Sequence, residues 1–267
     1  MGCCLDIQNE DFTEVRGCTV FSFIKNNLVY YARNNDLPPF LRKISKSIYY
    51  KPENKNSFIL NTSSFVNGEE GINQYGLVVA MTFVMPKPGE IIPGINSVFL
   101  VRYLLENCRT VDEGINILKK LPIASSCNII LTDKSKKMLV AECNPLKIHI
   151  RHPEKSKNGK PFTIAVNHFT SEEMWQHDAS SRNIYFSKIR YQTVYDALKN
   201  MDYNDGVKHS INILSGKYGF ICQYDKKLNF DTIWSSVFNI SDNKIYIAEG
   251  NPKKNKYKED IRLGWVK

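Results

Sequence analysis

The chain has 267 residues, 42% of them hydrophobic and 24% charged, with a formal net charge of +9. That length supports a core needing no disulfides, and the composition excludes a disordered or fibrous chain. The lysines fall in short runs at 134–137, 155–160 and 253–256. These read as solvated loops, not as the one-faced basic platform with aromatic residues that nucleic-acid binding requires.

In chain order, the opening "MGCCLDIQNEDF" has neither the basic nor the apolar region of a secretory signal. Asp6 stands where a myristoylation site needs Ser or Thr. "CTVFSFI" (18–24) and "NLVYYARN" (27–34) read as a hairpin turning at "KNN", whose asparagines suit positive φ. "SFILNTSSFV" (57–66) and "YGLVVAMTFV" (75–84) follow as strands. Alternation in these strands is loose and both parities are largely apolar, which predicts sheets covered on both sides. Residues 97–108 and 110–121 carry apolar side chains at helical spacing, with Thr110 and Glu113 as a capping box. "CNIILTD", "KMLVAECNP", "KIHIRHP" and "PFTIAVNHF" (161–169) are four further strands. Helices are predicted over 181–200 and 205–216, the second stopped by Gly216. "FDTIWSSVFNI" (230–240) and "KIYIAEGNP" (244–252) return to β structure. Strand runs alternating with helix pairs, without regular βαβ units, predict a single α+β domain. Two stacked antiparallel sheets with helices outside would bury every strand.

Seven cysteines form no CxxC pair and no zinc-like Cys/His spacing. Cys108, Cys127, Cys143 and Cys222 lie in apolar segments and read as buried thiols in a reducing compartment. The longest apolar run, 76–85, is too short to span a bilayer. The expected location is cytoplasmic, with no membrane partner.

Cys18 stands apart. It follows Gly17 at the start of a strand, after a polar leader of 17 residues. Cutting the Gly17–Cys18 bond would give Cys18 a free α-amine, whose ordinary pKa of about 7.7–8.0 suits a general base. Nucleophilic thiol and base would then belong to one residue. The hairpin brings residues 33–36 opposite Cys18. There Asp36 could hold the new amine and Arg33 could lower the thiol pKa; alone, the two would read as a surface ion pair.

With these pieces in place, the chain resembles the N-terminal nucleophile hydrolases of the linear-amide class. These include the choloylglycine hydrolase and penicillin V acylase group. It is most similar to the acyl-coenzyme A:6-aminopenicillanic acid acyltransferase group. The resemblance rests on Gly17-Cys18-Thr19, "ARNND" (32–36), "EEGINQYGLVVAMTF" (69–83) and "LVRYLLENCRTVDEGINILKKLP" (100–122). It continues in "NIILTDKSKKMLVAECNP" (128–145), "VNHFTSEEM" (166–174) and "DTIWSSVFNISDNKIYIAEGNP" (231–252). It implies a four-layer αββα sandwich, autocatalytic loss of residues 1–17, and a mature domain over 18–267. It also implies an acyl-enzyme reaction on a non-peptide linear amide, with no cofactor and no metal. Cys18 matches the nucleophile, Asp36 the carboxylate that contacts its amine, Arg33 the arginine before it, and Asn167 an oxyanion-hole amide. Removing such a donor costs roughly 10²–10³ in rate.

Two positions depart from the pattern. Thr82 stands where bile-salt-type members carry an oxyanion-hole Asn. No Arg occurs in "NFDTIWSS", where many members place one; Arg182 or Lys227 would have to stand in. His168 and His177, with Glu172, Glu173 and Asp178 nearby, match no helix-based metal motif. The expected partner is a small N-acyl amide, with no nucleic acid, and a homo-oligomer is compatible with the sequence. Acyl transfer to an amine or thiol, and a non-catalytic ligand-binding protein of the same fold, are the rival functions.

Overall fold

The computed structural model describes residues 17–179, 184–201, 204–224, 227 and 229–262. Residues 1–16 of the predicted leader, and Arg182, lie outside the described residues.

The chain opens with the expected hairpin, β1 (Gly17–Lys25) and β2 (Leu28–Leu37), turned by Asn26 and Asn27 at φ 49 and 67. Next come β3 (Lys46–Tyr50), β4 (Phe58–Thr62), β5 (Glu70–Asn73) and β6 (Val78–Phe83). The first helix pair is α1 (Ser97–Asn107) and α2 (Val111–Leu118). Thr110 Oγ1 caps α2 by accepting from Glu113 N–H at 3.3 Å, while the Glu113 carboxylate accepts from Arg109 N–H at 2.6 Å. Strands β7 (Cys127–Thr132), β8 (Met138–Asn144), β9 (Lys147–Arg151), β10 (Glu154–Lys155) and β11 (Pro161–Ala165) follow. The remaining helices are α3 (Glu172–Trp175), α4 (Ser187–Lys199) and α5 (Gly206–Leu214), and the chain returns to β12 (Asp231–Asn239), β13 (Lys244–Ala248) and β14 (Lys258–Asp260).

The strands form two seven-stranded antiparallel sheets, ordered β10-β11-β1-β2-β12-β13-β14 and β3-β4-β5-β6-β7-β8-β9. Three apolar layers prove the stacking. Leu100, Leu104 and Ile115 of α1 and α2 pack on Val79, Ile129 and Leu131 of the second sheet. Val20 and Tyr31 of the first sheet meet Ile72, Val78 and Ile130 of the second. Phe21, Phe23 and Ala32 on the other face of the first sheet pack under Val194 and Ile213 of α4 and α5. This is the four-layer αββα arrangement. Both faces of β1 and β2 are buried, which explains the loose alternation.

Several expectations shift. Strands β3, β5, β10 and β14 and the short α3 were not anticipated. β5 hides because Glu70 and Asn73 are polar yet fully buried; their side chains are paired inside the protein, so polarity does not mark exposure here. β11 ends at Ala165, short of the predicted Phe169, and β4 ends at Thr62. No helix among the described residues is long and apolar enough to cross a membrane.

Gly71 sets the distance between α1 and its sheet. A Cβ there would lie 2.4 Å from the Ile59 carbonyl oxygen and 2.6 Å from a Leu105 methyl. Gly71→Ala is expected to destabilise the protein by about 1–3 kcal/mol, as overpacking does. The measure is a lower urea midpoint at unchanged slope; an unmoved midpoint would mean that helix and sheet yield freely.

Candidate active site

Cys18 is the second residue of β1, and Asn35 is its cross-strand partner on β2. Strand alternation therefore sends the side chains of Cys18, Arg33 and Asn35 into the space between the sheets. Thr19, Asn34 and Asp36 point to the helix-covered face. The expected pair is thus divided: Arg33 meets the thiol, while Asp36 lies beside Gly17 on the opposite face.

Arg33 is fully buried. Its Nη2 donates to Cys18 Sγ at 2.9 Å and to Asn35 Oδ1 at 2.6 Å, and its Nε donates to the same Oδ1 at 3.2 Å. Its Nη1 donates across to the second sheet, to the carbonyls of Met81 at 2.6 Å and Glu69 at 3.3 Å. Burial alone would pull this guanidinium down. Its neighbours Cys18, Tyr31, Glu70 and Glu69 outweigh that and hold it above its ordinary value. Glu70 is itself an inter-sheet hub. It accepts from Tyr31 Oη at 2.6 Å, Asn61 Nδ2 at 2.7 Å, Trp234 Nε1 at 3.0 Å and Ser236 Oγ at 2.8 Å. A cavity of about 630 Å³ opens beyond this hub, with Trp234 and Asn61 in its wall.

While residues 17 and 18 are joined, burial outweighs the expected downward pull of Arg33 on the thiol pKa. Burial pushes Cys18 up to about 11, against the downward pull of Arg33 and Arg190. With residues 17 and 18 joined, the sulfur sits 3.4 Å from Asn35 Oδ1 as a thiol donor.

Asn167 follows the end of β11. Val20 pairs with Ala165, so extending that register by two residues brings Asn167 level with Cys18. Its Oδ1 accepts from Cys18 N–H at 2.8 Å. Its Nδ2 donates to the Phe83 carbonyl at 2.9 Å, and its own N–H donates to Ser187 Oγ at 2.9 Å. Thr82 lies one strand away, with its hydroxyl donating to the Val166 carbonyl at 2.6 Å. Asn128 Nδ2 donates to the same hydroxyl at 3.0 Å. The structure therefore brings Arg33 to the Cys18 sulfur and Asn167 to the Cys18 N–H, and places Thr82 on the Val166 carbonyl next to Asn167.

Asp36 is fully buried and accepts from Thr232 Oγ1 at 2.6 Å and Tyr224 Oη at 2.7 Å. Burial raises its pKa, opposed by Arg190, Thr232 and Tyr224. Gly17 is its cross-strand partner. A Cβ on Gly17 would meet the Phe230 ring at 2.8 Å and Asp36 Cβ at 3.2 Å, so the residue before Cys18 has room only for hydrogen.

Sequence reasoning missed Arg190. This fully buried residue of α4 donates from Nη1 to the Cys18 carbonyl and to Thr19 Oγ1, the latter at 2.8 Å. Its Nη2 donates to Asn167 Oδ1 at 2.7 Å, and Asp36 Oδ2 lies 3.9 Å from Nη1. It supplies a cation at the Cys18 backbone from an element other than the final strands, while Lys227 is exposed. The available signal was an arginine on the buried face of α4, in line with Ser187 and Val194 at helical spacing. His168 and His177 have separate partners, Ser187 Oγ at 2.8 Å and Glu90 Oε1 at 3.1 Å.

Burial lowers His168 to about 4; Asp178 opposes the shift and Arg190 and Lys188 add to it. Unfolded, the same ring titrates near 6.5. Between those values the unfolded chain binds the proton and the folded one does not, so stability is full above about 6.5 and falls as pH drops toward 4. Urea midpoints should decline over that window. His168→Gln should flatten the slope in part, leaving the share of His209, which burial also lowers to about 4. An unaltered slope in the variant would remove His168 from the effect.

The acyl-coenzyme A:6-aminopenicillanic acid acyl-transferase family matches residues 23–254, a span that begins just after Cys18. No curated protein sequence matches the chain. Among solved structures, penicillin V acylase from Agrobacterium tumefaciens is 18% identical over 87% of this chain and 83% of its own, with a TM-score of 0.55. A variant of conjugated bile acid hydrolase from Clostridium perfringens is 14% identical over 92% and 93%, with a TM-score of 0.60. The Caenorhabditis elegans ortholog of N-acylethanolamine-hydrolyzing acid amidase is 16% identical over 84% and 93%, also at 0.60. At these identities the three establish the shared fold, that of the N-terminal nucleophile hydrolases. The chain therefore belongs to the acyl-coenzyme A:6-aminopenicillanic acid acyl-transferase family, a family of enzymes.

Proposed function

We propose that this protein is a cysteine amidohydrolase that cleaves a linear, non-peptide N-acyl amide through a thioester on Cys18. The observation that carries the reading is the Arg33 guanidinium 2.9 Å from Cys18 Sγ at the start of a strand, directly after a glycine that has no room for a side chain.

The first step is removal of residues 1–17. Cys18 Sγ attacks the Gly17 carbonyl, the C–N bond breaks as the nitrogen takes the thiol proton, and water hydrolyses the thioester. Arg190 and Asn167 hold the Cys18 carbonyl and N–H still during that exchange. The freed amine keeps Asn167 Oδ1 as a partner, and Asp36, level with the cut, stabilises its protonated form. The mature amine then takes the Cys18 proton, the thiolate attacks the substrate carbonyl, and the amine returns the proton to the leaving nitrogen. Water releases the acid. Phe40, Phe65 and Val66 stand exposed on the segments after β2 and β4, apolar surface of the kind an acyl group would cover. The net charge of +9 favours an anionic substrate. The family's description favours a second reading in which an amine or thiol, not water, takes the acyl group.

Intact mass tests the first step. Wild-type protein is expected to lack residues 1–17 and Cys18→Ala to retain them; an active wild type with its leader attached would sink the proposal. Iodoacetamide should label Cys18 before the buried Cys108, Cys127, Cys143 and Cys222, and turnover of N-acyl amides should fall in step with that label. Product partition with added amine acceptors separates hydrolysis from transfer.

A further inference from the structure

Acyl chemistry at Cys18 needs a neutral donor for the oxygen on the acyl carbon, held in place before the reaction. Three side chains near the sulfur carry one. Asn167 Nδ2 is bonded to the Phe83 carbonyl, and the Thr82 hydroxyl to the Val166 carbonyl. The Thr82 hydroxyl would have to break its one donated bond to serve, and Asn167 Nδ2 has one of its two N–H groups already committed. Asn35 Nδ2 is buried and has no hydrogen-bond partner among the described residues.

The orientation of the Asn35 amide is fixed by chemistry. Its oxygen receives Nε and Nη2 of Arg33, which can only donate. The nitrogen must therefore face the other way. The amide touches Cys18 Sγ through the same oxygen and shares the inter-sheet face with it. Asn35's other cross-strand partner, Trp234, lines the inter-sheet cavity. A buried donor without a partner is costly and uncommon in native proteins. Here it is neutral, on an amide that Arg33 holds and whose oxygen touches the Cys18 sulfur.

We propose that Asn35 is a further catalytic residue, whose Nδ2 donates to the scissile carbonyl oxygen and holds the oxyanion formed at Cys18. The proposal rests on Cys18 being the nucleophile. As the C–S bond forms, the carbonyl π pair moves onto oxygen, against the Asn35 N–H. As the intermediate collapses, the pair returns, the C–N bond breaks and the leaving nitrogen takes its proton from the amine. Asn35 keeps its own proton throughout.

Asn35→Asp tests the idea, because it retains an oxygen for Arg33 and removes the donor. Two rates are compared, each at the pH where it reaches its plateau, so that a changed thiol pKa does not enter. Alkylation of Cys18 by iodoacetamide needs no oxyanion; turnover of an N-acyl amide does. The expected result is alkylation within about threefold of wild type, with kcat lower by about 10²–10³ and KM little changed. If the variant keeps its leader, it is produced from residue 18 after initiator methionine removal and assayed in that form. Turnover within tenfold of wild type would overturn the proposal. So would alkylation that falls as far as turnover, because Asn35 would then act only by positioning Arg33 and the thiol. A wild-type enzyme that is not labelled at Cys18, or an active Cys18→Ala, would instead overturn the nucleophile assignment.

Discussion

A guanidinium sealed between two sheets is the constraint on which this site depends. Removing Arg33 from water is expensive unless every N–H finds an acceptor. The acceptors come from four places in the chain: the Cys18 sulfur, the Asn35 side chain, and the carbonyls of Glu69 and Met81. Satisfying them fixes the distance between β2 and the β5–β6 hairpin, and hence the depth at which the sulfur sits. The neighbouring network around Glu70 extends the same demand outward through Tyr31, Asn61, Trp234 and Ser236. Elsewhere the inter-sheet space is filled by apolar side chains such as Val20, Ile72 and Ile130. The charged part of the polar zone therefore lies at the end of the sandwich where β1 begins, with one neutral pair, Thr132 Oγ1 donating to Ser22 Oγ at 2.7 Å, deeper between the sheets.

A second buried arginine works from the other side of the same strand. Arg190 reaches through from α4 to the Cys18 carbonyl, the Thr19 hydroxyl and Asn167, close to Asp36. β1 thus starts between two cations, one on each face. The face toward the second sheet holds the sulfur. The face toward α4 holds the Cys18 N–H and carbonyl, through Asn167 and Arg190, with Asp36 beside Gly17. In the proposed chemistry this separates the nucleophile from the groups that steady its amine, so that one residue presents two functions in two directions. With the peptide bond intact, burial outweighs both arginines and the thiol stays protonated.

Much of the fold was legible because its signals are local. The Asn26–Asn27 turn, the Thr110 cap and the apolar spacing of α1 and α2 each act over a few residues. β5 was not legible, because Glu70 and Asn73 are buried by partners distant in sequence. Within the site, Cys18, Arg33, Asp36 and Asn167 could be named from the chain and its resemblance to a family. Their division was partly readable as well: residues 33 and 36 have opposite parity on a strand and cannot face the same way.

The sequence by itself determined the hairpin, the two-sided burial of its strands, and the approach of Arg33 and Asp36 to a cysteine that follows a glycine. These follow from turn residues, strand period and chain order, which need no knowledge of distant partners. Only the tertiary structure decided that Arg190 is the cation at the Cys18 backbone, and that the Thr82 hydroxyl and one Asn167 N–H are engaged while the Asn35 amide nitrogen is not. Those outcomes depend on which groups meet across 17 to 172 residues of chain when four layers close, and on a low-dielectric interior where each polar atom must find its partner.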